Sequence, residues 1–290
     1  MPFAQAFAPG RFGLSFELFP PKTAEGEAAL YEHVAALVEL RPNFLTCTYG
    51  AGGSTRDKTL SIVSQVKKRF GVATASHLTC VGSTVEQLRA YLLQVQSAGI
   101  DGIVALRGDP PKGESEFRAV EGGLRYANEL VALIRSEFPE FGIAVAGYPE
   151  THQEALSADS DLDNLKRKVD AGGHIIITQL FYDNADFFRF RERCEKAGIR
   201  APLVPGILPV TSLSQIQRIA SLCKARLPEQ FIADLSRKED ADWQTRVGIE
   251  FAQQQVAGLL AGGIPGIHFY VLNKSHATRQ VLEGVSLPGR

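Results

Sequence analysis

Eight short runs rich in β-branched and aromatic residues recur along the chain, and stretches with helical spacing of apolar residues separate them. The strand-like runs are 13–19, 43–49, 73–80, 101–108, 142–149, 174–181, 202–208 and 266–273. The helical stretches are 24–40, 55–70, 84–98, 121–137, 160–171, 185–197, 212–223 and 242–261. In a chain of 290 residues, eight β/α units fit a barrel better than an open sheet. The sequence therefore predicts an α/β fold, a single (β/α)8 TIM barrel over residues 1–290.

Two segments fall outside this alternation. Residues 224–241 are rich in charge and are expected to form a surface insertion before the last long helix. Residues 274–290 are expected to add a short helix and a loose tail.

Composition narrows the classes of function. The chain has 31 Lys and Arg against 32 Asp and Glu, without a long block of like charge, which argues against nucleic-acid and membrane partners. The N-terminus lacks a basic segment leading into an apolar run, and glycines and a proline interrupt the apolar stretch 256–272. We therefore expect a cytoplasmic protein. The four cysteines are widely spaced, without zinc-site spacing, so we expect reduced thiols and no metal.

Glu17 is the strongest catalytic candidate. It lies in GLSFELFPP, an apolar strand that two prolines end. A buried carboxylate is costly to ionise, so we expect its pKa to be raised, as suits a general acid near neutral pH. The alternative is that period-2 alternation puts Ser15, Glu17 and Phe19 on one half-exposed face, with Glu17 in water.

Polar side chains follow one predicted strand after another. In (β/α)8 barrels, catalytic and binding residues gather at the carboxyl ends of the strands. The polar residues at these ends are Glu17, Thr48, Tyr49, His77, Arg107, Asp109, Tyr148, His152, Gln179, Tyr270, Asn273 and Lys274. We expect the functional site here, with Tyr270 among the residues that bind substrate.

Two loops carry residue types that contact cofactors. TYGAGGSTRDKT (48–59) turns through glycines, which lets backbone N–H groups approach a phosphate or a flat ring. A plain tight turn is the alternative. LRGDPP (106–111) places Arg107 and Asp109 two residues apart, either as a surface ion pair or with Asp109 accepting hydrogen bonds from a heterocycle.

The helix predicted at 160–171 places Asp161, Asn164 and Lys168 on one stripe, with Arg167 beside it. An acid for ribose hydroxyls and two cations for a pyrophosphate match a dinucleotide lying along this helix. The alternative is a solvated face with cations near the helix C-terminus.

The residues alone leave the roles of three further candidates undecided. His77 and His152 each fit a structural or a functional role. Gln179 ends an apolar strand and needs partners from a ligand or a loop if it is buried.

The chain resembles the catalytic barrel of methylenetetrahydrofolate reductase over almost its whole length. The resemblance rests on an ordered set of segments: FELFPPK, TYGAGGSTRDKT, SHLTC, LRGDPP, YPETH, DLDNLKRKVDAGG, ITQLFYD, PGILPV and HFYVLNK. It implies an FAD-containing (β/α)8 enzyme with FAD and folate sites at the C-terminal face. In a ping-pong sequence, hydride would pass from NAD(P)H through flavin N5 to 5,10-methylenetetrahydrofolate. The product would be 5-methyltetrahydrofolate, the methyl donor for methionine synthesis.

The resemblance also implies roles for individual residues. Glu17 matches the general acid that promotes opening of the folate imidazolidine ring, and Asp109 matches the carboxylate that binds the pterin near the flavin. Gln179 matches a residue shared by folate and nicotinamide, and Thr48 a position near the nicotinamide. The positions expected to bind cofactor are Thr48, Tyr49, Ala51, His77, Arg107, Gly108, Asp109, Ala119, Tyr148, His152, Ala155, Asp161, Asn164, Arg167 and Lys168. Those expected to bind substrate are Glu17, Asp109, Gln179, Gln215, Tyr270 and Lys274.

Two residues depart from the family's pattern. Familiar bacterial members have arginine where this chain has Lys274, and lysine lacks the bidentate fork that would hold a folate carboxylate. Ile219 stands where some members have an aromatic residue, so stacking on a bound ring is weaker. The sequence leaves open the choice between NADH and NADPH, and whether the chain forms a homo-oligomer.

Two other functions remain as alternatives. One is another barrel flavoenzyme, such as a relative of proline dehydrogenase, with the same helix stripe for FAD. The other is a folate-binding barrel without reductase activity, against which the presence of Glu17, Asp109 and Gln179 argues. The visible spectrum and anaerobic bleaching by NADH discriminate between them.

Overall fold

The computed structural model describes residues 2–49, 55–110, 113–114 and 116–289. Within these residues, nine strands form one parallel sheet in the order β7-β6-β5-β4-β3-β2-β1-β9-β8. The strands are β1 (Gly13–Leu18), β2 (Phe44–Cys47), β3 (Ala73–Thr79), β4 (Gly102–Leu106), β5 (Gly142–Gly147), β6 (Ile175–Thr178), β7 (Leu203–Val204), β8 (Gly206–Ile207) and β9 (Gly266–Tyr270).

Eleven helices accompany the strands in the described part of the chain. They are α1 (Pro2–Ala6), α2 (Ala24–Val38), α3 (Arg56–Phe70), α4 (Val85–Ser97), α5 (Ala127–Glu137), α6 (Ala158–Asp170), α7 (Asn184–Lys196), α8 (Leu213–Cys223), α9 (Glu229–Ser236), α10 (Ala241–Ala261) and α11 (His276–Glu283). Of the helices in these ranges, none combines the length and the hydropathy that crossing a membrane requires.

The sheet closes through the segment that the sequence predicts as a single strand at 202–208. Pro205, which has no N–H to donate, divides this segment into β7 and β8. β7 pairs with β6, β8 pairs with β9, and the carbonyl of Pro205 accepts a hydrogen bond from the His268 N–H at 3.0 Å. The two ends of the sheet therefore meet in one stretch of chain, and the predicted TIM-barrel class is confirmed.

Both faces of β1 are buried, and they face different surroundings. Leu14, Phe16 and Leu18 belong to the large apolar cluster between the strands and the helices. Ser15 and Glu17, which alternate with them, face the barrel interior. The alternative of a Glu17 in water is therefore wrong, because helices cover one side of a barrel strand and the other strands enclose the opposite side.

Helix α1 closes the N-terminal end of the barrel. Phe3 and Phe7 are buried there against Phe44 of β2, with ring centroids 4.3 and 6.1 Å from its ring. Strands β1, β4, β5 and β9 all begin with glycine. A Cβ on Gly102 would lie 2.6 Å from Phe3 Cζ, and one on Gly266 would lie 2.5 Å from Phe7 Cε1, so the glycines make room for these rings.

The segment 224–241 contains more structure than a surface insertion. Its helix α9 buries Phe231 and Leu235, which are spaced i, i+4 and so lie on one face. Phe231 stacks on Phe251 of α10 with ring centroids 3.9 Å apart. The expectation of a surface insertion is therefore wrong for this face of α9. The short helix expected within 274–290 is present as α11.

Candidate active site

A buried carboxylate lies between two histidines near the carboxyl end of β1. The Glu17 side chain is 9% exposed, and its residue pairs with Thr46 of β2 and Tyr270 of β9. Its Oε2 atom lies 3.4 Å from Nε2 of His77 and 3.5 Å from Nε2 of His268. The barrel thus brings together one acid and two imidazoles that are far apart in sequence.

These histidines reverse the pKa shift predicted for Glu17. Burial raises the pKa of this carboxyl, but the electrostatic interaction with His77 and the hydrogen bonds from His268 and His77 outweigh burial and lower the pKa from 4.5 to about 2. The predicted rise is therefore wrong. The apolar residues beside Glu17 in the sequence face the helices, whereas its neighbours in space are polar.

His268 is a contact of Glu17 that the sequence motifs did not single out. It is fully buried, its Nδ1 atom lies 2.8 Å from Ser15 Oγ, and its ring meets Tyr270 edge-on at 5.3 Å between centroids. The available signal was a histidine inside the apolar strand GIHFYVLN, the same kind of signal that drew attention to Glu17.

The residues expected to bind substrate near β9 differ in how exposed they are. The Tyr270 hydroxyl donates to the carbonyl of Thr178 at 2.8 Å, so it spans the seam of the barrel. Burial, together with the charge of Glu17, raises the pKa of Tyr270 well above its usual value. Lys274 and Gln215 are exposed, and with Tyr270 they line a small cavity of about 20 Å³.

Asn273 fastens the end of β9 to the end of β1. Its backbone is left-handed, with φ of 57°, and its side chain accepts from the Phe19 N–H at 2.8 Å and donates to the Phe19 carbonyl at 2.7 Å. Asn273 therefore holds the loop after β9 against the loop after β1 at the mouth of the barrel.

Arg107 pairs with a different acid from the one that the sequence suggested. Its guanidinium contacts the Glu154 carboxylate through two hydrogen bonds, of 2.6 and 2.9 Å, and lies 5.1 Å from the centroid of the Phe117 ring. Asp109 is exposed. The alternative of an ion pair between Arg107 and Asp109 is therefore wrong, and Asp109 keeps its predicted ligand role.

Gly108 lies between these two residues in a left-handed conformation, with φ of 91°. A Cβ there would lie 2.8 Å from Val81 Cγ1 and 2.9 Å from Thr79 Cβ. The close approach of the loop to β3 therefore requires glycine.

A second polar group forms where β5 and α6 meet. The Asp161 carboxylate accepts a hydrogen bond from the His152 N–H at 2.9 Å, and the His152 and Tyr148 rings meet edge-on at 4.6 Å. Lys168 donates to the carbonyl of Ala146 at 2.5 Å and lies 5.7 Å from the centroid of the Tyr148 ring. Burial lowers the pKa of Lys168 to about 8, although the charge of Asp161 acts in the opposite direction.

Ser157 determines where α6 begins. Its hydroxyl accepts a hydrogen bond from the Ser160 N–H at 3.1 Å, and the Ser160 side chain accepts from the Ser157 N–H at 2.9 Å, forming a capping box. The helix turns Asp161 and Lys168 toward the loop and the strand, while Asn164 and Arg167 remain exposed. The predicted stripe is therefore divided between two environments.

The other predicted residues lie in loops at the same end of the barrel. Thr48 is half-buried, with its carbonyl accepting from the Thr59 hydroxyl at 2.8 Å, and the Tyr49 hydroxyl is buried without a hydrogen-bond partner in the described residues. The Gln179 side-chain oxygen accepts from the Leu180 N–H at 2.8 Å. Ala119 and Ala155 are half-buried, and Ala51 lies outside the described residues.

Comparison with known proteins assigns the family. A family model described as methylenetetrahydrofolate reductase matches residues 3–286. The chain belongs to this family. Among its relatives, "5,10-methylenetetrahydrofolate reductase" of Escherichia coli K12 is 42% identical over 268 residues, covering 92% of this chain and 88% of the relative. "Methylenetetrahydrofolate reductase (NADH) 1" of Arabidopsis thaliana is 42% identical over 289 residues, covering 96% of this chain and 49% of the relative.

This member of the family thus spans about half the length of its plant relatives.

Solved structures agree on the fold. A Clostridium thermocellum protein described as binding two copies of 5-methyl-5,6,7,8-tetrahydrofolic acid aligns with a TM-score of 0.63 at 15% identity, over 97% of both chains. Phosphonopyruvate hydrolase aligns with a TM-score of 0.55 at 13% identity, over 97% of this chain and 82% of its own.

Proposed function

We propose that this chain reduces 5,10-methylenetetrahydrofolate to 5-methyltetrahydrofolate in the cytoplasm, with bound FAD and with NAD(P)H as electron donor in a ping-pong sequence. The product would supply methyl groups for methionine synthesis. The observation that carries the proposal is Glu17, held between two histidines at the mouth of a barrel that belongs to this family. The four free cysteines suit a reducing compartment.

The residues around Lys168 fit FAD. Lys168 is a cation whose side chain contacts a backbone carbonyl and a tyrosine ring, and no ion pair involves it within the described ranges. An anionic ligand such as a diphosphate would give it a charged partner. Beside it, Asp161 and His152 offer polar groups for a ribose. We assign these residues, with Tyr148 and Arg107, to FAD, which when bound would supply two-electron transfer between the nicotinamide and the folate.

Glu17 is assigned the acid that opens the imidazolidine ring of the substrate. Its side chain is enclosed on the barrel interior, so a proton given to a bound folate would not be lost to bulk water. A carboxylate beside an imidazolium and a carboxylic acid beside an imidazole hold the same number of protons. Because contacts with His77 and His268 lower the pKa of Glu17, a proton for the folate would have to be brought to Glu17 during turnover.

Asp109 and Gln179 are assigned to the pterin, and Thr48 to the nicotinamide. Asp109 is exposed on the loop after β4, where a ligand can reach its carboxylate. Gln179 follows β6, and its side-chain oxygen makes only a local bond to the next residue among the contacts described. Its amide is thus available to a ligand. Lys274 and Gln215 are assigned to the outer part of the folate.

The visible spectrum of the purified chain tests the proposal first. Flavin absorbance should be present, should bleach anaerobically with NADH or NADPH, and should return on addition of methylenetetrahydrofolate with formation of 5-methyltetrahydrofolate. Bleaching without reoxidation by the folate would point to another barrel flavoenzyme. Folate binding without a flavin would point to a barrel that lacks reductase activity.

A further inference from the structure

The loop after β5 contains a turn that its sequence does not favour. Thr151 has a left-handed backbone, with φ of 79°, and its N–H donates to the Tyr148 carbonyl at 3.2 Å. The left-handed region is disfavoured by about 5- to 30-fold for most residues other than glycine, and a β-branched residue there is a clear outlier. Neighbouring contacts must therefore hold Thr151 in this conformation.

The turn lies between two residues assigned to FAD. Tyr148 precedes Thr151 and His152 follows it, and the two rings meet edge-on with centroids 4.6 Å apart. A change of φ at Thr151 to the usual negative values would redirect the chain just before His152 and separate the rings. The conformation of Thr151 therefore sets how these two side chains are presented to a ligand.

Hydrogen bonds hold the turn on both sides. On its C-terminal side, the His152 N–H donates to the Asp161 carboxylate at 2.9 Å. On its N-terminal side, the two carboxylate oxygens of Glu150 accept the N–H of Arg226 at 3.0 and 3.2 Å. The first contact belongs to the polar group where β5 and α6 meet. The second connects the turn to the loop after α8, 76 positions away in sequence.

Arg226 is itself anchored on α7. Its guanidinium donates to the Asp186 carboxylate at 2.9 Å and lies 3.7 Å from the Asp183 carboxylate. Asp186 is buried, whereas the Arg226 side chain is 63% exposed. Glu150 is half-buried, and burial raises its carboxyl pKa, as does the charge of Asp186, while the Arg226 N–H acts in the opposite direction. The Arg226 N–H thus offsets part of the cost of keeping a carboxylate at this place.

We propose that Glu150 is a positioning residue for FAD, which keeps Thr151 left-handed through its hydrogen bonds to Arg226. This inference rests on the proposed function, because its ligand is the FAD assigned to Tyr148 and His152. Without Glu150, Thr151 returns to negative φ in most molecules, and only the fraction that keeps the turn is competent to bind. The apparent affinity for FAD falls by that fraction.

Flavin fluorescence titration of the full chain, freed of flavin, measures this effect. Glu150→Ala removes both acceptors and should weaken FAD binding about 5- to 30-fold, the factor by which the left-handed conformation is disfavoured. Glu150→Gln keeps one oxygen for the Arg226 N–H and should stay within about threefold of wild type. Wild-type affinity in Glu150→Ala would overturn the proposal.

A glycine at position 151 separates positioning from a merely structural role. Glycine adopts positive and negative φ about equally, so Thr151→Gly added to Glu150→Ala should restore FAD affinity to within about threefold of wild type. If Glu150 acted only through general stability, the glycine would not restore binding, and that result would refute the positioning role.

Arg41 provides the matched control for the glycine. It is also left-handed, with φ of 53°, but it lies between α2 and β2, at the opposite end of the barrel. Arg41→Gly added to Glu150→Ala should leave FAD binding as weak as in Glu150→Ala alone. Recovery of binding in this control would show that relief of strain anywhere is enough, which contradicts the proposal.

Arg226→Met tests the same contact from an exposed side chain, and so does not depend on the folding of Glu150→Ala. It removes the anchor on Asp186 and should weaken FAD binding about 3- to 10-fold, and Thr151→Gly should again restore the affinity. An unchanged FAD affinity in Arg226→Met would count against the proposal.

Crystal structures distinguish failure of this proposal from failure of the proposed function. If the wild-type chain binds no flavin, the proposed function fails, and the φ of residue 151 in the wild type and in Glu150→Ala still decides whether Glu150 holds the turn. We expect a positive φ in the wild type and a negative φ in Glu150→Ala. A positive φ in Glu150→Ala would show that Glu150 does not hold Thr151.

Discussion

Replacement of Glu17 by glutamine separates proton delivery from every other task of the site. Glutamine keeps the shape of the side chain and removes both its proton and its charge. The described contacts of Glu17 are to His77 and His268. The residues that we assign to FAD lie on other elements, such as Lys168 of α6, which contacts Ala146 of β5. Glu17→Gln should therefore retain FAD.

The expected loss is confined to the folate half-reaction. A positioned general acid contributes about 10²- to 10⁴-fold, so reoxidation by methylenetetrahydrofolate should fall by that factor, or about 3 to 5.5 kcal/mol in barrier height. Reduction of the flavin by NADH needs no proton from a side chain and should stay within about twofold of wild type. Anaerobic stopped-flow absorbance measures the two steps separately.

Glu154→Gln is the matched control, because it removes a carboxylate that pairs with Arg107 and has no described contact with Glu17. It should weaken FAD retention and leave the folate step of the loaded enzyme within about threefold of wild type. Reoxidation of Glu17→Gln at the wild-type rate would refute the assignment of Glu17 as the acid.

Three other outcomes follow from individual contacts. Lys168→Met should weaken FAD binding by about 10- to 100-fold, while Arg167→Met, on the exposed side of α6, should change it by less than about threefold. Flavin fluorescence titration measures the FAD affinity of both variants. In the wild type, FAD affinity should decline as pH rises above about 8, where Lys168 loses its proton. Lys274→Ala should raise the folate KM about 3- to 10-fold and leave flavin reduction by NADH unchanged, whereas Lys274→Arg should not raise the folate KM. An unchanged folate KM for Lys274→Ala in steady-state kinetics would contradict the proposed role of Lys274. Because the pKa of Glu17 is lowered from 4.5 to about 2, its ionised form contributes about 3 kcal/mol to the free energy of unfolding. This contribution is present above pH 4.5 and is lost as pH falls through 2. The free energy of unfolding measured with urea should therefore differ less between pH 6 and pH 3 in Glu17→Gln than in wild type.

Local sequence patterns were sufficient to predict the barrel and to place the candidate site at the carboxyl ends of its strands. The alternation of strand-like and helical runs predicts β/α units, because each period reflects which face of one element is covered. The strand-end position of Asp109 and Gln179 follows from the same pattern, since parallel strands present their carboxyl ends together. The sequence singled out Glu17 as the candidate acid but left open whether it is enclosed or on a half-exposed face, and only closure of the barrel decided that it is buried.

Alternation shows that a residue shares a face with its neighbours two positions away, but it does not show what lies opposite that face. Only the tertiary structure brings His268 to Glu17, across 251 positions of sequence, and so reverses the direction of the pKa shift. The same limit applies to Arg107, whose partner Glu154 comes from another loop, and to Phe3, which fills space left by glycines in distant strands. The sequence determines which residues share a face of a strand or helix, while closure of the barrel decides which faces are buried and which charges they meet, because electrostatic and packing energies depend on distances through space.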